Sequence, residues 1–174
     1  MDSTGVAWVE SITMSATQHA GRDAFVVVDT PDSRGVHDES VLLRDGSATL
    51  RVHREEYTDG ALSLTVDYVP GFPRFDEAWL GASGAVVETY ERTEAAPGGT
   101  QKIATRKQEY TVLERDVCVS VAAGEFNTVH VSRVRQDTLE KTLYWFADGI
   151  GKVLERKPAT GASEQLESAC LPGR

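Results

Sequence analysis

Residues 117–154, VCVSVAAGEFNTVHVSRVRQDTLEKTLYWFADGIGKVL, read as three short strands joined by glycine-marked turns. Val117, Val119 and Val121 alternate with Cys118 and Ser120, the period of a strand with one buried face. Ala122-Ala123-Gly124-Glu125 reverses the chain, and residues 126–135 return antiparallel. Gln136-Asp137-Thr138 turns again into residues 139–147. There Leu143, Tyr144, Trp145 and Phe146 are apolar on both faces, as in a strand buried on two sides or bent across a corner. Asp148-Gly149-Ile150-Gly151 reverses the chain into residues 152–157, and a last short strand around 164–168 leads to Cys170 and a loose tail at 171–174.

The same alternation runs upstream. Residues 6–30 hold two apolar runs, VAWVESITM and AFVVVD, rich in β-branched residues and too short for helices. Asp45-Gly46 lies between two alternating runs, a strong hairpin signal. With those residues as the loop, Arg44 pairs with Ser47, Leu43 with Ala48 and Val41 with Leu50. Val41, Leu43, Ala48, Leu50 and Val52 then share one face, and Arg44, Thr49, Arg51 and His53 the other. That register sends His37 and His53 to opposite faces. With no His-x-x-x-His or Cys-His spacing elsewhere, no metal site is expected.

A second turn falls at Thr58-Asp59-Gly60. A two-residue loop would set Leu62, Leu64 and Val66 against Tyr57, Glu55 and His53. A three-residue loop with a bulge at Gly60 sets Val66 against Val52 and Tyr68 against Leu50, and keeps one apolar face across three strands, so it is the expected register. Pro70 and Pro73 end this meander and argue against a central strand there. Residues 75–80 read as one helical turn or as the entry to the next strand, with Phe75 and Trp79 plugging one end of the sheet. Residues 85–93 and 101–115 add two strands across a flexible Pro97-Gly98-Gly99 connection.

A chain of 174 residues is long enough for one domain, residues 1–174, with a core that needs no metal or disulfide. Its 40% hydrophobic and 26% charged residues are an ordinary globular composition. No window approaches the roughly 18 apolar residues of a membrane helix. A net charge of −9 and a pI near 4.9 argue against nucleic acid or an anionic membrane as the main partner. The basic residues Lys102, Arg106, Lys107, Arg133 and Arg135 are interleaved with polar ones, as on a solvated strand face. No nucleophile elbow, catalytic triad, metal motif or phosphate loop occurs, so neither an enzyme nor a cofactor is expected. Met1-Asp2-Ser3-Thr4 lacks the features of a signal peptide, which fits a cytoplasmic protein and equally one whose export signal has been replaced. Cys118 and Cys170 are compatible with one disulfide and equally with two unrelated thiols.

Two motifs resemble a family of bacterial exported proteins and lipoproteins of unknown function, related to the lipoprotein-carrier fold. The first is Val119-Ser120-Val121-Ala122-Ala123-Gly124-Glu125-Phe126, where the family has Val-x-Val-Pro-Ala-Gly-x-Phe. The second is Tyr144-Trp145-Phe146-Ala147-Asp148-Gly149-Ile150-Gly151-Lys152-Val153, where it has Tyr-Trp-Tyr-Ala-Pro-Gly-Val-Gly-x-Val. Ala122 and Asp148 replace the family's prolines. A weaker match runs from Pro73 to Trp79, and the specific part lies within the strands at 117–157.

The resemblance implies an all-β fold, a strongly curved antiparallel sheet of about ten strands forming an unclosed half-barrel, with little or no helix. It also implies a periplasmic or outer-membrane-anchored protein, whose concave face holds an acyl chain or an apolar partner segment. Trp79, Tyr144, Trp145 and Phe146 are its candidate lining, each weighed against plain core packing. Membrane association would come only through a lipid anchor outside this chain. In an exported protein a Cys118–Cys170 bridge would tie the C-terminal tail to the sheet. The alternative is a structural or interaction subunit of an envelope complex, docking a partner through sheet edges or an acidic face.

Overall fold

A computed structural model describes residues 11–168. The strands in chain order are β1 (Ile12–His19), β2 (Arg22–Asp29), β3 (Val36–Asp45), β4 (Ala48–Thr58) and β5 (Ala61–Asp76). A single helical turn, α1 (Ala78–Gly81), precedes β6 (Val86–Ala95), β7 (Lys102–Val121), β8 (Gly124–Arg135), β9 (Lys141–Ala147), β10 (Gly151–Lys157) and β11 (Ala162–Gln165). All eleven strands lie in one sheet whose spatial order is the chain order, and the paired strands run antiparallel. The order is open: β1 stands at one end and β11 at the other. The part of the first apolar run before residue 11, the tail and Cys170 lie outside the described residues.

The chain gathers into two compact units. Of the described residues, one holds 11–81 together with Glu88–Lys107, and the other Ala82–Val87 together with 108–168. The core of the first unit contains Ala24, Leu43 and Val52 with Val41 and Leu50 packed on them, and a second group of Val66, Tyr68, Phe72 and Tyr90. The second unit is built on Trp145, Ala147, Val153 and Leu154, against which Val117, Val119, Val121 and Phe126 pack.

The turns place the side chains, and here the structure departs from the expected registers. Asp45 pairs with Ala48, so the first loop is Gly46-Ser47. Gly46 takes φ +58° at the first central position, where a mirror-image turn needs a glycine. The slip moves the pairing by two positions and leaves side-chain parity intact, so Leu43 faces Leu50. A bulge then intervenes, because Leu42 pairs with Arg51 and Val41 with His53, leaving Val52 as an extra residue. His37 and His53 therefore share a face, contrary to the alternation, but stand four residues apart along β3, with His37 opposite Tyr57 and His53 opposite Val41. His37 stacks on Tyr57 at 5.0 Å, and His53 Nδ1 lies 2.7 Å from Asp67.

The second hairpin overturns the three-residue loop. Thr58 pairs with Ala61, and Asp59 and Gly60 both have positive φ, 52° and 77°. Two adjacent residues able to hold that conformation close a tight loop whose twist matches the strands. Parity is corrected farther along: Tyr57 pairs with Leu62 and Glu56 with Leu64, so Ser63 is the bulged residue. Its hydroxyl donates to the Glu56 carbonyl at 2.9 Å. Val66 thus faces Arg54, not Val52.

Nor do the prolines end β5. Its pairing with β6 covers Thr65–Val69; Pro70 falls in the irregularity between the His53–Asp67 and Arg51–Phe72 pairs, and Pro73 pairs with Leu50 of β4 alone. There a missing amide costs no ladder bond on the open side. β7 likewise merges the two strands expected at 101–115 and 117–121, with pairing irregularities between Val112 and Val117 and Asp116 at φ 56°.

Candidate functional site

The four aromatics read from the sequence fall into separate settings. Trp79 belongs to α1 in the first unit and is 2% exposed, edge-on to Phe75 at 6.0 Å. The turn that carries it is capped by Asp76, whose carboxylate accepts the Ala78 amide at 2.9 Å. Tyr144, Trp145 and Phe146 are in the second unit, on β9, where strand alternation divides them. Tyr144 and Phe146 share one face, rings stacked at 5.6 Å, with the Arg133 guanidinium 5.4 Å from the Tyr144 ring centre. Arg133 also donates to the Thr142 hydroxyl at 3.0 Å.

Trp145 points to the opposite face. His130, its partner on β8, stacks on it at 4.2 Å with planes 9° apart, and Arg156 on β10 lies 5.4 Å from its ring centre. All three β9 aromatics are 9% exposed or less, so protein already covers each ring. Burial pushes the pKa of His130 below its ordinary value, Glu114 opposes that shift, and Lys141 and Arg156 add to it.

Cys118 is a free, exposed cysteine, so the structure carries no disulfide at this position. Among the described residues no group of three His, Cys, Asp or Glu side chains is placed to hold a metal ion.

A different constellation emerges on the first unit. One face of β1–β5 carries Ile12, Met14 and Ala16 on β1, Phe25 and Val27 on β2, and Asp38, Ser40 and Leu42 on β3. It continues with Arg51 and Arg54 on β4 and with Val66, Tyr68 and Phe72 on β5. Toward β1 this face is apolar and accessible, with Ile12 55%, Met14 62% and Phe25 43% exposed.

Toward its middle the face is cationic. Arg54 donates to Asp38 at 3.0 Å and lies 3.7 Å from Glu56. Burial alone would lower its pKa, but Asp38, Tyr68 and Glu56 together raise it. Arg51 behaves oppositely: burial first, then Arg74 and Arg54, push its pKa down to about 10 against the pull of Tyr68 and Asp38.

Strict alternation sets Arg51 on a polar face and places residues three apart on opposite faces, so by period alone Arg51 and Arg54 do not meet. The bulge at Val52 reverses that. A signal was present in the sequence: Val52-His53 interrupts a charged run, Arg51 to Glu56, that no single alternating face accommodates.

Comparison with protein-family models, with curated proteins and with solved structures gave no match.

Proposed function

We propose that this protein is a non-catalytic binding protein that takes an acyl chain or an apolar partner segment on the β1–β5 face of its first unit. The observation that carries the reading is the row of large apolar side chains Ile12, Met14 and Phe25, more than two-fifths exposed on one face of paired strands. Scattered exposed hydrophobics need no explanation, but an aligned row on one face is the kind of surface that binding sites present. The cell envelope, periplasmic or outer-membrane-anchored, is the compartment that the motif resemblance implies.

The test is to refold delipidated protein and titrate it with sodium laurate below its micelle concentration, following melting temperature and bound fatty acid by mass spectrometry. A saturable rise in melting temperature, lost in Phe25→Asp and in Met14→Glu, is expected. Neither bound lipid nor a shift would overturn the reading.

A second reading is a subunit that docks a protein partner along β1. It rests on β1 being the terminal strand of the sheet, with most of its residues exposed. A constitutive crosslinked partner in the native cell, with no response to laurate, would favour it.

A further inference from the structure

We propose that Arg51, Arg54 and Arg74 form an oxyanion site on the first unit, built to take a carboxylate or a phosphate. Arg51 pairs with Leu42 and Phe72, and Arg54 with Ser40 and Val66, so both guanidinium groups rise from one face. Arg74 lies two residues beyond Phe72 on β5, inside the irregularity between the Thr49–Phe75 and Leu50–Pro73 pairs, and it is near enough to Arg51 to repel its charge. Tyr68 is the nearby aromatic hydroxyl, close enough to influence both Arg51 and Arg54.

The charges on this face do not balance locally. Arg54 takes up both nearby carboxylates, Asp38 and Glu56. Among the described residues the Arg51 and Arg74 side chains have no ion-pair partner, and the Nε groups of Arg51 and Arg54 are enclosed without a hydrogen-bond partner. A buried charged donor left unpaired is costly, and like charges side by side away from water add repulsion. Both costs are relieved by one group that is anionic and accepts several hydrogen bonds.

Guanidinium forks suit that group. Each presents a planar set of donors matched to the oxygens of a carboxylate or phosphate, and always carries its charge near neutral pH. In a protein of net charge −9 such a cluster is a local inversion of sign. An anion approaching it meets long-range repulsion, so selectivity rests on short-range hydrogen bonding. The site stands independently of the acyl reading. If the ligand is an amphiphile, the apolar row at Ile12, Met14 and Phe25 continues the same face.

The test uses the whole chain with its arginines labelled with nitrogen-15, so that the Nε–Hε signals of Arg51 and Arg54 are followed directly. The probes are inorganic phosphate, acetate and laurate, each at matched ionic strength. The expected result is a saturable movement of both signals with at least one probe. Half-saturation should weaken by about tenfold or more in Arg51→Gln and in Arg74→Gln, the worth of one charge-assisted hydrogen bond. Arg22→Gln, which alters an exposed arginine paired with Asp45, should leave binding unchanged.

Tighter saturation by phosphate than by acetate identifies a free or headgroup phosphate, and tighter saturation by laurate identifies a fatty carboxylate. No saturable movement at Arg51 with any probe overturns the site, and this measurement stands on the wild-type chain even if Arg51→Gln fails to fold. Laurate that stabilises the protein while the Arg51 signal stays in place with laurate, acetate and phosphate alike overturns the site and leaves the acyl reading intact. Saturable movement with phosphate or acetate, while laurate neither binds nor shifts the melting temperature, overturns the acyl reading and leaves the site.

Discussion

Arg51 and Arg54 lie three residues apart on β4 yet share a face, because Val52 is an extra residue between the Leu42–Arg51 and Val41–His53 pairs. Asp38 stands across from them, 3.0 Å from Arg54 and attractive to Arg51 as well. Asp38→Asn should therefore leave three arginines facing Glu56 alone. Breaking a fully buried pair costs about 3–5 kcal/mol, and this half-buried one should cost about 2 kcal/mol. Urea denaturation of Asp38→Asn alone and in an Arg51→Met background forms the check. The cost should shrink in the second background, and equal costs would show that Asp38 and Arg51 do not interact.

His130 predicts a pH dependence with a definite sign. Its folded pKa lies below the ordinary 6.5, so the unfolded chain takes up the proton more readily. The stability contribution is complete above 6.5 and is lost as pH falls from there through the lowered folded value. Against Trp145 the neutral ring stacks well, whereas its Nε2 is enclosed without a hydrogen-bond partner and a proton there would be poorly solvated. Melting temperature measured between pH 8 and pH 5 should fall, and His130→Gln should flatten that part of the curve. An unchanged slope in the variant would assign the effect to other groups.

Two glycines should fail for different reasons. Gly60 has φ +77° and open space where a side chain would go, so Gly60→Ala pays only the left-handed backbone, about 1–2 kcal/mol. Gly71 has no such φ, but an added Cβ would sit 2.8 Å from the Cβ of Leu50. Gly71→Ala is thus an overpacking change of about 1–3 kcal/mol. Leu50→Ala keeps the clashing Cβ, so the double variant should gain back little. Full rescue would locate the clash at the Leu50 branch instead.

These registers show what the sequence makes legible. Alternation and turn residues carry the strands and their order, because each hairpin is a local decision: Asp59-Gly60 and Gly46-Ser47 close loops from their own backbone preferences. The apolar set Val41, Leu43, Leu50 and Val52 was equally legible, since it packs together whichever of two even-shifted registers the loop selects. Bulges were not. Val52 and Ser63 carry no glycine or proline to announce them, and each is placed by what its neighbouring strands can pair with. The arginine cluster depends on the first of these bulges, so it was invisible to a reading by period. The aromatics at 144–146 were visible as apolar on both faces, which is the pattern their burial produces.

Trp145 is a core residue by its surroundings, and that makes a prediction separable from binding. His130 from β8 and Arg156 from β10 both lie against its ring, and Val117, Val119, Val121, Phe126 and Leu143 pack around its group. Trp145→Ala should cost about 3–5 kcal/mol, as for large buried aromatics, and Trp145→Phe much less because the ring plane survives for His130 to stack on. Thermal unfolding gives both values. In Trp145→Phe the laurate response should equal that of the wild-type chain, since the apolar row on β1 and β2 belongs to the other unit. A laurate response lost in Trp145→Phe but kept in Phe25→Asp would move the ligand to β9 and overturn the placement on β1–β5.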